Sequence, residues 1–326
     1  MPTEKQVYSR LIDLYEKNVF ELSSDAILHF FQRVYVVNGN KKYVSMIATG
    51  MYLRYVKDFE GLVEKLEKKD FNLSESLKKK KRIGLRQKVR KGYYKNNSAN
   101  HFFNRLLICL FYIKKFNLHK GSYQDSYEKA IKLLKNINFK KIYVNDEAIV
   151  KDSSYLFNSV VFLKLLGIDK DVEGQCIVRL QDIYLDEDFK IKKIVNDYEF
   201  QSLIYSLTHI IIAESRFYER MVRSHGWIIK YLMNNLEEIK KRVTFDILSE
   251  VAFCLRVTGQ KNNYSPQYKA LKKDLISMIK FNKLNKNIEY LKKKEHTNSI
   301  LVLLFGEYTN FVKPANLAKN KLFNNQ

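Results

Sequence analysis

Hydrophobic residues recur along most of this chain at intervals of three and four, the spacing that places them on one face of a helix. In residues 4–20, for example, Val7, Leu11 and Leu14 share a face. The same spacing predicts helices, in chain order, over 4–20, 24–38, 41–68, 98–117, 123–137, 145–167, 171–183, 197–223, 226–240, 244–258, 266–280 and 298–307. In the helix over 41–68, an interruption near Phe59–Gly61 stays open. The pattern thus predicts an all-α protein of about ten to twelve helices.

Short loops between these helices favour an α/α array, in which sequential helices pack as pairs. The chain contains only 3 prolines and 11 glycines, too few for the many turns of a sheet-rich fold. No strict repeat is visible, and both halves show the same pattern. We therefore expect a closed, toroid-like array rather than an open solenoid. We expect one domain over residues 1–313, followed by a frayed polar tail at 314–326.

A strongly basic stretch interrupts this pattern at about residues 76–97 and is interpreted as a linker-like insertion. From Lys78 to Lys95, ten of eighteen residues are Lys or Arg, and Tyr93 and Tyr94 stand near its end. Aromatic rings beside cations can stack on nucleic-acid bases, whereas a solvated lysine face followed by core aromatics needs no partner. Both interpretations stay open. The candidate polyanion-binding residues are Lys79, Lys80, Lys81, Arg82, Arg86, Arg90 and Lys91.

The whole chain carries 58 basic and 35 acidic residues, a formal charge of +23. Such an excess favours association with nucleic acid or another anionic surface, but a compositional lysine bias would give the same number. The cysteines Cys109, Cys176 and Cys254 are odd in number and form no CxxC pair, which indicates reduced thiols and a cytoplasmic location. The start of the chain shows no secretory signal, and no apolar run approaches the roughly 20 residues of a membrane span.

His209 stands at the head of an apolar run in the segment YSLTHIIIAES, residues 205–215. On a helix through residues 200–220 it shares a face with Arg216, seven residues further on. It can be a buried histidine satisfied by a neighbouring helix, or it can be a general acid/base or a ligand contact. The pattern allows both.

Two further polar groups, Glu250 and His296, border apolar helical segments. Asp246 and Glu250 are four residues apart in TFDILSEVAF and so share a helical face. Asp246 is explained by its place in the first turn, where the helix dipole favours a carboxylate. Glu250 can form an ion pair with Arg216 or Arg256, or it can serve as an acid or base in a site.

Four segments occur along the chain in this order: ILHFFQRVYVVNGNKKY, YEFQSLIYSLTHIIIAESRFYE, DILSEVAFCLRVTG and KEHTNSILVLLF. Together they resemble the DUF3541 family of uncharacterised bacterial proteins over about residues 5–305. The matching positions are His29, Arg33, Tyr35, Gly39, Tyr205, Leu207, Thr208, His209, Glu295, His296 and Asn298. Phe31 stands where the family pattern has glycine. The resemblance implies a helical fold and draws attention to these polar residues without implying an activity.

Helix termini converge at one end of a toroid, and we expect the candidate catalytic residues to meet there: His209, Glu250 and His296. The candidate substrate contacts are Arg33, Tyr205, Arg216, Glu295 and Asn298. The chain contains no HExxH, Cys/His cluster, GxSxG, P-loop or GxGxxG motif, so no metal or cofactor is expected.

Two functions remain, and the sequence does not decide whether the chain is an enzyme. One is acid/base chemistry on an unknown small-molecule, glycan or peptide ligand. The other is a helical protein that binds nucleic acid or another polyanion through the basic surface at 78–95.

Overall fold

The computed structural model describes residues 2–72, 84–186, 188, 190–191, 196–306 and 311–324. Its helices are α1 Glu4–Lys17, α2 Ser24–Asn38, α3 Val44–Met51, α4 Phe59–Glu67, α5 Leu85–Asn96, α6 Ser98–Lys115, α7 Gln124–Leu134, α8 Phe139–Tyr143, α9 Asp146–Leu166, α10 Val172–Tyr184, α11 Asp197–Glu214, α12 Gly226–Asn234, α13 Leu236–Arg242, α14 Phe245–Val257, α15 Ser265–Met278, α16 Phe281–Lys286, α17 Ile288–Lys293, α18 Glu295–Phe305 and α19 Lys321–Asn324. Over these residues there is no β-strand, only an isolated bridge between Leu185 and Ile191. The all-α prediction is confirmed, and closure into a toroid stays a prediction.

Local sequence explains where the first two helices begin and end. The Thr3 side chain accepts a hydrogen bond from the Gln6 backbone N–H at 3.2 Å, and the Gln6 side chain accepts one from the Thr3 N–H at 2.8 Å. This reciprocal capping box satisfies two donors that the start of α1 would otherwise leave unpaired. Ser23 caps α2 in a similar way, and Gly39, at φ 64°, ends that helix in the left-handed conformation that glycine adopts without strain.

The chain forms two compact units. The first comprises Met1–Arg54 and Glu214–Ala315, and the second comprises Tyr55–Ala213 and Asn316–Gln326. Whether the two units form the single domain expected over residues 1–313 is not tested by this division, so the single domain stays a prediction. No helix in the described part of the chain is both long enough and apolar enough to cross a lipid bilayer.

Helix α18 forms the centre of the first unit, where α1, α2 and α14 pack against it. Residues 300–304 of α18 are all buried, as expected for a helix that is apolar on every side. Helices α2 and α3 approach closely at Gly50, where an added Cβ would lie 2.8 Å from the Leu28 Cβ. The first turn of α18 therefore lies among other helices of its unit.

Helix α9 holds the corresponding place in the second unit, where α5, α6, α8 and α10 pack against it. At Ser153 the helix is interrupted, because this residue has φ 41° and ψ −108°. A positive φ is strained for a residue with a Cβ, so the surrounding packing must hold the kink in place.

Three predicted helices end early or divide. The one over 41–68 becomes α3 and α4, with a π-helical turn at Tyr52–Val56 between them. The one over 226–240 becomes α12 and α13. The one over 197–223 ends as α11 at Glu214, because residues 216–218 all adopt positive φ values that cannot continue a right-handed helix.

The structure also bears on the basic insertion and on the tail. The described part of the insertion forms helix α5, whose Tyr93 and Tyr94 are buried, and the linker-like role of the insertion stays a prediction. The described part of the tail is not frayed: Leu317 and Phe323 are buried, and the Leu317 N–H donates to the Phe116 carbonyl at 3.1 Å. Burial of these apolar side chains offsets the entropy lost on ordering the segment.

Candidate functional site

The first turn of α18 carries the polar run EHTNS ahead of its apolar segment. An acidic side chain at this end of a helix is favoured by the helix dipole. Because α2 and α14 pack along α18, side chains of its first turn meet polar groups of both helices. We call this group the α18 polar cluster and define it as Arg33, Asp246, Glu250, Glu295 and His296.

A buried carboxylate and an imidazole form the core of the α18 polar cluster. The His296 Nε2 atom lies 3.0 Å from Glu250 Oε1 and 3.7 Å from Asp246 Oδ1. The Glu250 side chain is 1% exposed, whereas the side chains of His296 and Asp246 are 34% and 30% exposed. A buried carboxylate is costly to ionise unless it is paired, and His296 supplies that partner.

The pKa of His296 is raised from its ordinary value of 6.5 to about 9. Burial lowers this pKa, but the negative charge of Asp246 and the hydrogen bond to Glu250 raise it by more. The ring is therefore an imidazolium at neutral pH. Its Nε2–H donates to Glu250, and its Nδ1–H has no hydrogen-bond partner in the described parts of the chain.

An arginine and a second buried glutamate complete the α18 polar cluster. Arg33 Nη1 lies 3.8 Å from Glu295 Oε1, and the same guanidinium donates to Ser299 Oγ and, through Nη2, to Tyr218 Oη at 2.9 Å. Burial raises the pKa of Glu295, but the His29 imidazole, 3.9 Å away, and the charge of Arg33 outweigh burial and lower it overall. The Glu295 carboxylate is thus held ionised beside a buried guanidinium.

Asn298 has a positioning role within the same turn. Its Nδ2 donates to Tyr15 Oη at 3.0 Å, and that hydroxyl donates to the Leu291 carbonyl at 2.9 Å. The Tyr15 ring stacks on Phe30 with 3.8 Å between ring centroids. Asn298 therefore links the start of α18 to α1 and to the end of α17.

His209 and Tyr205 lie on α11, in the second unit. The His209 Nδ1 atom lies 2.9 Å from Asn158 Oδ1 of α9, and the two rings of His209 and Tyr205 are 4.5 Å apart. His209 is half-buried and is oriented by Asn158. Convergence of His209 with Glu250 and His296, which belong to the first unit, stays a prediction.

Two arginines of α5 are held by tyrosine rings. The Arg86 guanidinium lies over Tyr205 at 4.4 Å from the ring centroid, and that of Arg90 lies over Tyr155 at 4.1 Å. The Arg90 side chain is only 13% exposed. Lys91 is half-buried, and the predicted polyanion contacts Lys79, Lys80, Lys81 and Arg82 lie outside the described residues.

Arg90 also faces a buried carboxylate. Its Nε lies 3.7 Å from Asp152 Oδ1, and Asp152 accepts hydrogen bonds from Tyr94 Oη at 2.5 Å and from Asn104 Nδ2 at 2.7 Å. Burial raises the pKa of Asp152 by more than Arg90 and the two hydrogen bonds lower it. Asp152 directly precedes the kink at Ser153.

Comparison with known proteins adds one finding to this geometry. The family model described as a domain of unknown function, DUF3541, matches residues 4–325. The chain belongs to the DUF3541 family. No curated protein and no solved structure gives a significant match. The family assignment confirms the resemblance seen in the sequence.

The structure of this DUF3541 chain brings five predicted site residues together. These are Arg33, Glu250, Glu295, His296 and Asn298, all in the first unit. Four of them come from the segments at 27–43 and 294–305 that carried the family resemblance. Sequence segments far apart in the chain therefore meet at the start of α18.

The predicted shared face of His209 and Arg216 is wrong, because α11 ends at Glu214 before Arg216 is reached. Arg216 is exposed in the turn that follows, with φ 55°. Sequence reasoning missed the roles of Tyr218 and Asp152. Neither gave a local signal, because the partners Arg33 and Tyr94 lie 185 and 58 residues away.

Proposed function

We propose that this DUF3541 protein uses the α18 polar cluster as an acid–base centre on a carbohydrate or peptide-like substrate. The observation that supports the proposal is the 3.0 Å pair between a one-third-exposed imidazolium, His296, and a buried carboxylate, Glu250. A histidine in this environment holds a proton at neutral pH and can deliver it to a leaving group.

His296 is the proposed general acid. Its Nε2–H is held by Glu250, so its Nδ1–H is the proton available to a substrate. Cleavage of a glycosidic or amide bond needs a proton on the departing oxygen or nitrogen, which the imidazolium supplies. Glu250 is too deeply buried to reach a substrate directly, so it orients the ring and holds its charge.

Asp246 is the proposed base. Its carboxylate is 30% exposed and lies 3.7 Å from the His296 ring, so it can accept a proton from a water molecule beside the imidazolium. Arg33 and Glu295 are almost fully buried and serve to fix the position of α18 against α2. An imidazolium and a partly exposed carboxylate side by side suit the opposite roles of acid and base.

A panel of p-nitrophenyl glycosides and aminoacyl p-nitroanilides tests this proposal in wild type and in His296→Gln and Glu250→Gln variants. We expect turnover of at least one compound class, a loss of about 100-fold in kcat for His296→Gln, and an alkaline pH limit near 9 that moves lower in Glu250→Gln. His119→Gln, in the second unit, is the matched control. Absence of turnover across the panel, or a His296→Gln variant as active as wild type, would contradict the proposal.

Polyanion binding is the second candidate function. On α5, Lys88 and Lys95 are exposed, Lys91 is half-buried, and the helix carries no acidic residue. Such a face favours phosphate backbones non-specifically and with a steep dependence on salt. Its test is binding of a fluorescein-labelled single-stranded 20-mer by anisotropy. Combined Ser substitution of the three lysines should lower the affinity and flatten the salt dependence.

We also propose that the protein is cytoplasmic and that its helices close into a toroid. The three cysteines are buried and unbridged, as expected in a reducing compartment. Sequential helices joined by short connections are the feature that supports an α/α array.

A further inference from the structure

Two guanidinium–tyrosine stacks lie side by side in the second unit. Arg86 and Arg90 are four residues apart on α5, hence on one face and one turn apart. Arg86 lies over Tyr205 of α11, and Arg90 lies over Tyr155 of α9. A guanidinium stacked on a ring by its face keeps its N–H groups in the plane free to donate.

Among the residues that the structure describes, none saturates these N–H groups. Arg86 makes no hydrogen bond and no ion pair with any residue that the structure describes. The Arg90 Nε–H is buried and, among the described residues, has no hydrogen-bond acceptor; Asp152, at 3.7 Å, is its nearest carboxylate. Both Asp152 oxygens already accept from Tyr94 and Asn104. The Arg90 Nη groups also form no hydrogen bond with a described residue, so a phosphate that accepts from them displaces no protein partner.

The surroundings of the two arginines are aromatic and polar. Tyr155 is 47% exposed, so part of its ring is open to solvent. Tyr205 and His209 are half-buried, and Asn158 fixes the ring of His209. The fold thus holds both arginines and both tyrosines in place before any ligand arrives, which reduces the ordering cost of binding.

We propose that Arg86, Arg90, Tyr155 and Tyr205 form a nucleotide site. The two guanidinium groups receive the phosphate, and the exposed part of the Tyr155 ring stacks on the base. Arginine suits this task because its planar fork of donors matches two phosphate oxygens at once, which a lysine cannot do. Stacking on an aromatic ring is available to every base, so the site discriminates phosphate-bearing planar ligands rather than a base sequence.

This proposal deepens the second candidate function and does not involve the α18 polar cluster. It differs from general polyanion binding because it needs the half-buried arginines and Tyr155 rather than the exposed lysines of α5. The phosphate and base can come from a free mononucleotide or from single-stranded nucleic acid. Binding experiments with both distinguish the two sources.

Isothermal titration of the full chain with AMP, adenosine, inorganic phosphate and the oligonucleotide (dT)12 tests the site. We expect AMP to bind and Arg86→Gln to weaken it about tenfold, the loss typical of one charge-assisted hydrogen bond. Tyr155→Ala should weaken AMP about tenfold and inorganic phosphate by a smaller factor, because it removes the ring that stacks on the base and also the ring that holds Arg90. The matched control is Arg10→Gln, which removes an equivalent stack on Phe281, at 4.4 Å, in the first unit.

The outcomes separate cleanly. AMP binding that survives Ser substitution of Lys88, Lys91 and Lys95 supports the site even if salt-dependent (dT)12 binding is lost. Tighter binding of (dT)12 than of AMP, weakened by Arg86→Gln, assigns the site to single strands. Absence of AMP and (dT)12 binding in wild type, or an equal loss in Arg10→Gln and Arg86→Gln, overturns the proposal. Circular dichroism shows whether each variant is folded.

Discussion

At the scale of single residues, His296 couples the candidate site to the stability of the fold. Its pKa is about 9 in the folded chain, against an ordinary value of 6.5. The folded state thus binds this proton more tightly than the unfolded state does. The resulting stabilisation is complete below about pH 6.5 and is lost as the pH rises through about 9.

We expect the free energy of unfolding of wild type to fall between pH 6.5 and 9.5 by about 1–2 kcal/mol more than that of His296→Gln. The figure is reduced from the full shift because the ring is 34% exposed and partly screened. Urea unfolding at several pH values measures the difference. Parallel pH profiles for the two proteins would show that Asp246 and Glu250 do not raise the pKa of the imidazole.

Individual residues of the candidate site could be predicted only where a polar residue stands in an unexpected place in the sequence, such as beside an apolar run. Glu250 and His296 drew attention because each borders an apolar run, and the structure places them 3.0 Å apart. Asp246 was explained by the helix dipole alone, although its oxygen lies 3.7 Å from the His296 ring. When a local effect already explains why a charged residue stands at a position, the sequence gives no signal of a second partner 50 residues away.

At the scale of helices, we expect replacement of glycine by alanine to have opposite effects on stability at two positions. At Gly50 of α3 an added Cβ would lie 2.8 Å from the Leu28 Cβ and 3.0 Å from its backbone nitrogen, so alanine must force α2 and α3 apart. At Gly61 of α4 nothing in the described chain lies within 4 Å of the added Cβ. Gly50→Ala should therefore destabilise by about 1–3 kcal/mol.

Gly61→Ala is the control and should stabilise by up to about 1 kcal/mol, since alanine has the higher helix propensity. Thermal unfolding followed by circular dichroism measures both. A Gly50→Ala variant as stable as Gly61→Ala would mean that the contact between α2 and α3 relaxes without cost.

Helix positions were largely predictable, whereas several helix ends were not. Apolar spacing located α1, α2 and α14 within a few residues of their bounds. It could not locate the end of α11, because residues 215–218 are as compatible with a helix as those before them. The three consecutive positive φ values there are not encoded by helix propensity. Because the helix ends before Arg216, the seven-residue spacing between His209 and Arg216 does not place them on one helical face.

At the scale of the whole molecule, the formal charge of +23 acts on the folded state whatever its function. Like charges repel more strongly in the compact state than in the expanded unfolded chain, and salt screens that repulsion. Exposed ion pairs such as Lys129–Glu67 and Arg105–Asp58 are weakened by salt as well, but each contributes only about 0–1 kcal/mol.

We therefore expect the thermal unfolding midpoint to rise by about 2 °C or more between 20 and 300 mM NaCl, since net repulsion outweighs the surface pairs. An uncharged osmolyte at equal osmolality is the control, because it changes solvation without screening charge. A midpoint that falls with salt would show that attractive pairs dominate. The 35 acidic residues would then lie close enough to basic ones for attraction to outweigh the repulsion of the remaining charge, and the case for a polyanion partner would rest on the fixed arginines of α5 alone.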